Sequence, residues 1–380
     1  MFLQSLAQMR DLHVEKLAQL LDRTTNSYKY LFFIAILNEI KSQLSSKEDE
    51  RSCCPLQLPT QHVIREMLAF AWYPHRFFNL SFGVQDQVGQ SLDRLNFRVD
   101  ERAVTHPQTR SELRNAIQEQ LSQLGADSFA RYVPYRLLSP FFINELKGLP
   151  DHEKNFRIAE AAQLAFDSNG PPLYRLVQGG EKLEIHPEWL SYITNNLAIV
   201  QGWAYLKWAL FLQKRNPSMP SILKKIEPPT GRGALIRQTE FWNQVISGTD
   251  QPIHCIYQPT HRVQPGRFQL DHFVPWSFVC HDELWNLIPA EPAANAAKGR
   301  SLPTQEQLGR FISNQRQALQ VCLRLAEESV IPSRKWNRFF SSYTEGIGLE
   351  VSDIDQPDRF QEKYRGKINP LLSLARQLGY

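Results

Sequence analysis

Four polar residues at fixed intervals constrain this chain more than any other feature. Asp271 and His272 are adjacent, Asn286 follows Asp271 by fifteen residues, and Asn295 follows by nine more. Each stands among apolar neighbours, with Leu270 and Phe273-Val274 around the pair and Leu-Trp-Asn-Leu-Ile around Asn286. A strand, a loop, a second strand and a short helix fit that spacing. Neighbouring residues of a strand face opposite sides, so Asp271 and His272 can serve one target only where the strand ends or twists. Asn295 opens Asn-Ala-Ala-Lys-Gly, which reads as the helix and puts Lys298 on the same face.

These side chains suit hydrolysis of a phosphodiester. The reaction needs an activated water, a stabiliser for developing negative charge and help for the leaving 3′ oxygen. Magnesium takes oxygen ligands and needs only one or two protein groups beside substrate phosphate and water. Asp271 offers a carboxylate and Asn295 an amide oxygen. His272 can accept a proton from water at neutral pH. Asn286, an amide inside an apolar run, needs partners if buried. Bonding across the loop after His272 would satisfy it and fix the imidazole. Lys298 is placed to contact a phosphate.

The order Asp271, His272, Pro275, Ser277, Phe278, Asp282, Asn286, Asn295 and Lys298 resembles the HNH nuclease superfamily, in the variant with Asn in place of the last His. It is similar to the HNH domain of RNA-guided CRISPR effector nucleases. The resemblance covers about residues 250 to 303. It implies a ββα-metal fold, His272 as general base, Asp271 and Asn295 as ligands of Mg2+ or Mn2+, and Asn286 as the residue that positions the loop. Many HNH domains also hold a structural zinc with two Cys-x-x-Cys pairs. Here the first pair survives only as Cys255-Ile-Tyr-Gln258, and Pro289-Ala-Glu-Pro-Ala stands at the second. A tetrahedral site lacks its thiols, so no structural zinc is expected. Packing by Phe273, Trp276, Phe278 and Trp285 is expected to hold the motif instead.

A chain of 380 residues is too long for this motif alone. The expected fold is mainly α with a small α+β module: a helical domain over 1–225, the ββα nuclease module over 226–303, and C-terminal helices over 304–380. Residues 1–22 read as an amphipathic helix. Tyr28 to Leu44 reads as a helix apolar on all faces and therefore buried. Ser45 to Pro59 reads as an exposed loop. Helices are expected over 61–72 and 110–124, and prolines at 134 and 140 argue against a long helix there. Leu173–Val177 and Lys182–Ile185 read as a hairpin, and 187–215 as one long helix. Further helices are expected over 235–246, 304–330 with Thr304 as cap, and 332–340 with its aromatics turned inward. A last helix is expected to be interrupted at Pro370.

Cys53, Cys54, Cys255, Cys280 and Cys322 form no convincing disulfide framework. With no signal-peptide pattern at the N-terminus and no apolar run long enough to cross a bilayer, a cytoplasmic setting without a membrane partner is expected. The net charge of +4 says little, but residues 207 to 237 hold seven basic residues against Glu227 alone. Lys224, Lys225, Arg232 and Arg237 there, with Arg267 and Arg300 flanking the motif, are the candidate contacts to a duplex DNA backbone.

The leading expectation is a metal-dependent DNA endonuclease that nicks duplex DNA. Long helical N-terminal regions joined to such a motif resemble bacterial restriction and anti-phage defence proteins, including nuclease subunits of multi-component systems such as type II Zorya. A DNA-binding subunit of a larger defence complex, with cleavage gated or supplied by partners, is one alternative. An RNase or structure-specific nuclease is another.

Overall fold

A computed structural model describes residues 12–22, 24–46, 55–83, 85–99, 106–228 and 234–380. These residues are mainly α-helical and form two small antiparallel sheets. It divides into two units, one of Met1–Pro217 with Ile222–Thr230 and the other of Ser218–Ser221 with Gly231–Tyr380. Cys53, Cys54 and the start of the first expected helix lie outside the described residues.

The first unit contains α1 (Val14–Gln19), α2 (Tyr28–Ser46), β1 (Gln57–Pro59), α3 (Thr60–Phe78), α4 (Gln87–Asp93), α5 (Pro107–Glu119), α6 (Ala126–Leu137), α7 (Lys154–Ala165), β2 (Tyr174–Val177), β3 (Lys182–Ile185), α8 (Pro187–Asn195) and α9 (Leu197–Arg215). Its centre is α2. Every side chain from Leu31 to Leu37 is fully buried. A helix with no polar face can be satisfied only when surrounded, and α3, α6 and α9 surround it. The hairpin of β2 and β3 forms as its sequence indicates. The edge strand β1 occupies what was expected to be loop, pairing Gln57 with Glu184 and Leu58 with Leu183. The long helix expected over 187–215 is broken at Asn196, whose φ of −120° and ψ of 20° leave the helical region. Pro134 lies inside α6 rather than ending it.

The second unit contains α10 (Ile236–Gly248), β4 (Gln269–His272), α11 (Trp276–Val279), β5 (Leu287–Ala290), α12 (Pro292–Lys298), α13 (Gln305–Glu327), α14 (Ser333–Ile347) and α15 (Pro357–Gln377). The C-terminal helices cluster with the motif. α15 runs through Pro370 without interruption. Pro370 and Gly366 are both exposed, so water can serve the carbonyl that the missing N–H leaves unpaired. Trp336, Phe339 and Phe340 of α14 are buried while Arg334 and Arg338 are exposed. That is the amphipathic arrangement in which the aromatics pack inward.

α13 begins with a capping box between Thr304 and Gln307. Its polar side chains grip the backbone of neighbouring loops. Arg310 Nε donates to the Ile256 carbonyl at 3.0 Å, and Asn314 Nδ2 to that of His254 at 2.9 Å. Gln317 Nε2 reaches the Gln251 carbonyl at 2.8 Å. Gln315, fully buried, donates to the Leu287 carbonyl of β5 at 2.8 Å and accepts from Tyr343 Oη at 2.8 Å. Phe311 stacks on Phe273 with ring centroids 4.0 Å apart.

Candidate active site

β4 and β5 pair antiparallel, with Asp271 opposite Ile288 and His272 opposite Leu287. β4 ends at His272, the place where strand alternation stops separating the two side chains. Asn286, fully buried, immediately precedes β5. Its Oδ1 accepts from Val274 N at 2.9 Å and its Nδ2 donates to the Val274 carbonyl at 2.9 Å. Phe273 N adds a bond to the Asn286 carbonyl at 2.8 Å. One amide therefore satisfies itself and clamps the two residues after His272. Breaking it would leave buried donors and acceptors unpaired, at a cost of about 1–3 kcal/mol each.

α12 follows β5 directly. Pro292 fits its first turn, where an N–H is dispensable. Glu291 caps it, Oε2 accepting from Ala294 N at 2.6 Å. Gly299, with φ 52° and ψ −120°, ends it in a conformation that a residue with a Cβ avoids. On the face turned to β4 the two elements meet rung by rung. Asn295 Nδ2 donates to Gln269 Oε1 at 3.1 Å. Lys298 Nζ lies 2.9 Å from Asp271 Oδ2 and 3.1 Å from Oδ1, and donates to the His272 carbonyl at 2.7 Å.

Two residues without an assigned role in the sequence complete this cluster. Asp282 Oδ1 lies 2.8 Å from His272 Nε2. A carboxylate there accepts the Nε2 proton, which sets the tautomer and leaves Nδ1 as the basic nitrogen. Tyr257 donates its hydroxyl to Asp271 Oδ2. Burial, and then the adjacent Asp271 charge, push the Tyr257 hydroxyl well above its ordinary value, so it remains a donor. Tyr257 and Gln269 had no signal in the sequence. Asp282 stood in the motif order, but its partner was not readable.

The remaining expected residues disperse. Arg237 and Arg267 are exposed in the second unit, and Arg300 is half-buried there. Lys224 is exposed in the first unit. Lys225 is fully buried with its ammonium 5.4 Å from the centre of the Phe78 ring. That burial removes it from the set of phosphate contacts. Arg232 lies outside the described residues. Cys255, the remnant of the zinc pair, is a buried thiol near Glu291 N at 3.5 Å. Its loop closes on itself through Cys255 N to the His261 carbonyl and Val263 N to the Ile253 carbonyl, each at 2.9 Å. Phe273, Phe278 and Trp285 are buried, and Trp276 is half-buried.

The donor chemistry fits a hard cation. Asp271 supplies charge, and Lys298, a cation, already lies against its carboxylate. Asn295 spends its amide nitrogen on Gln269, which leaves the oxygen as its available ligand atom. Among the described residues no group of three or more His, Cys, Asp and Glu could hold a metal. One carboxylate and one amide oxygen are a donor set that suits an ion keeping much of its water.

Residues 258–304 match the HNH endonuclease family. Over that stretch the chain is similar to HNH endonuclease domains. The match begins beside Tyr257 and ends at the cap of α13, so it takes in β4, β5 and α12. No curated protein and no solved structure matches the chain. HNH nucleases generally depend on a divalent metal, in keeping with the donor set of β4 and α12. Among the described residues no helix is long and apolar enough to cross a membrane.

Proposed function

We propose that this protein is a metal-dependent DNA endonuclease that uses His272 as general base and nicks duplex DNA. The observation that carries the reading is the His272–Asp282 pair at 2.8 Å, standing on the strand that also bears Asp271. Asp282 accepts from Nε2, so Nδ1 takes the proton of the attacking water. Asn286 keeps the imidazole in register by clamping the loop beyond it. Asp271 and Asn295 would hold Mg2+ or Mn2+, which when bound supplies charge stabilisation to the phosphate and the leaving oxygen. Lys298 offers a further positive charge to the phosphate. One base and one metal-binding carboxylate address one phosphate, so a single site cuts one strand. Arg237, Arg267, Arg300 and Lys224 are the proposed backbone contacts to DNA.

The test is supercoiled-plasmid relaxation with and without Mg2+ or Mn2+, wild type against His272→Ala. Loss of general-base catalysis is expected to cost about 10²- to 10⁴-fold while DNA binding persists. Full activity in the variant would remove the base assignment. Parallel digestion of plasmid, single-stranded DNA and RNA decides the substrate. Protein that binds DNA but never cuts it with either metal would support the alternative of a subunit whose cleavage is supplied by partners. A role in defence against phage or other foreign DNA rests on the resemblance of the motif-bearing architecture. It is tested by phage plating on cells carrying wild type or His272→Ala.

A further inference from the structure

We propose that Lys298 and the divalent cation are alternative occupants of the Asp271 carboxylate, so that loading the site displaces the ammonium. The proposal rests on the reading of Asp271 as a metal ligand and concerns how that ligand is kept before the metal arrives.

Three acceptors surround the Lys298 ammonium: both oxygens of Asp271 at 2.9 and 3.1 Å, and the His272 carbonyl at 2.7 Å. The two side chains are 6% and 8% exposed. An exposed pair of this kind would be loosely held. A pair this buried is not, because separating it leaves a charge without partner or water. Asp271 also accepts from the Tyr257 hydroxyl. Both carboxylate oxygens are thus met by the chain's own donors. Magnesium binds oxygen directly at about 2.0–2.1 Å. An ammonium on the same oxygens would then lie within about 4 Å of it, close enough for the two positive charges to repel strongly in a site so poorly reached by water. The two cations exclude each other. Lys298 therefore keeps the buried carboxylate neutralised and shaped until the metal replaces it, and the cost of moving it lowers apparent metal affinity.

The experiment titrates Mn2+ into the full chain and follows free Mn2+ by electron paramagnetic resonance. Lys298→Met is expected to bind Mn2+ about tenfold more tightly than wild type or better, a change of about 1.4 kcal/mol, and Asp271→Asn to lose binding. Equal or weaker affinity in Lys298→Met, with binding lost in Asp271→Asn, would overturn displacement alone. Wild-type affinity in Asp271→Asn would overturn the ligand reading and the proposal with it. Because Lys298→Met leaves a buried carboxylate unpaired and could misfold, a second measurement uses the wild type. Amine acetylation read by mass spectrometry should spare Lys298 in metal-free protein and modify it once Mn2+ saturates the site. Labelling that Mn2+ leaves unchanged would overturn displacement.

Discussion

α2 and α13 each organise one unit, by opposite means. α2 is buried along Leu31–Leu37 and works by removing apolar surface from water. α13 buries one face, through Leu308, Phe311 and Leu319, and spends Arg310, Asn314, Gln315 and Gln317 on the carbonyls of loops around the HNH fold. Burial is non-directional and tolerates small shifts. Hydrogen bonds to carbonyls are directional and fix loops in place. The contrast follows the contacts: Lys298 on Asp271 and His272, and Asn295 on Gln269, join α12 to β4 through directional bonds that depend on register.

The largest effect should come from the apolar side. Phe32→Ala opens a cavity in the centre of the first unit and should cost about 3–5 kcal/mol in denaturant unfolding. Hydrogen exchange should quicken across α2, α3 and α9 while β4 and β5 keep their protection. Faster exchange in both units alike would erase the contrast between them.

Gln315→Met is the matching change in the second unit. It keeps the volume nearly constant and removes the amide, leaving the Leu287 carbonyl and Tyr343 hydroxyl without their partner. The expected cost is about 1–3 kcal/mol per stranded group. Exchange should quicken at β5, and plasmid nicking should fall with it. Unchanged exchange at β5 would show that packing by Phe311, rather than hydrogen bonding, holds the strand.

These two positions also mark what the sequence could and could not disclose. Leu-Phe-Phe-Ile-Ala-Ile-Leu announces its own burial, because a run with no polar face has one stable setting. The polar landmarks Asp271, His272, Asn286 and Asn295 announced a strand–strand–helix unit for a similar reason: their spacing is local. Gln315 announced nothing, since its partners lie 28 residues away in β5 and α14. β1 was missed because its sheet partner, β3, lies far along the chain, with Gln57 facing Glu184. Tyr257 and Gln269 are polar residues whose meaning arises when the fold brings Asp271 and Asn295 against them. Lys225 shows the converse error: adjacent to an exposed lysine in a basic stretch, it is buried under Phe78.

A smaller effect is expected from the peripheral grips. Asn314→Ala and Arg310→Ala each remove one bond to the loop around Cys255, worth about 0.5–1.5 kcal/mol. The double variant should loosen residues 253–263, seen as faster exchange there, with α2 unaffected. Additive single effects would show two independent fasteners, and a larger double effect would show one cooperative clamp.

The smallest change separates the two regions by pH. Backbone N–H groups of Ala293 and Ala294 hold the Glu291 carboxyl below its ordinary value. A carboxyl depressed in the folded state contributes stability that is complete above its unfolded value of about 4.3. That contribution disappears as pH falls through the folded value. Glu291→Gln keeps a weaker acceptor and no charge. The difference in melting midpoint between wild type and Glu291→Gln should therefore be largest near neutral pH and shrink below about pH 4. The Phe32→Ala difference, which involves no titrating group, should keep its size over the same range. If the Glu291→Gln difference also stayed constant into acid, the cap would act through shape alone, and the entry to α12 would belong with the apolar packing of the first unit rather than with the directional bonding of the second.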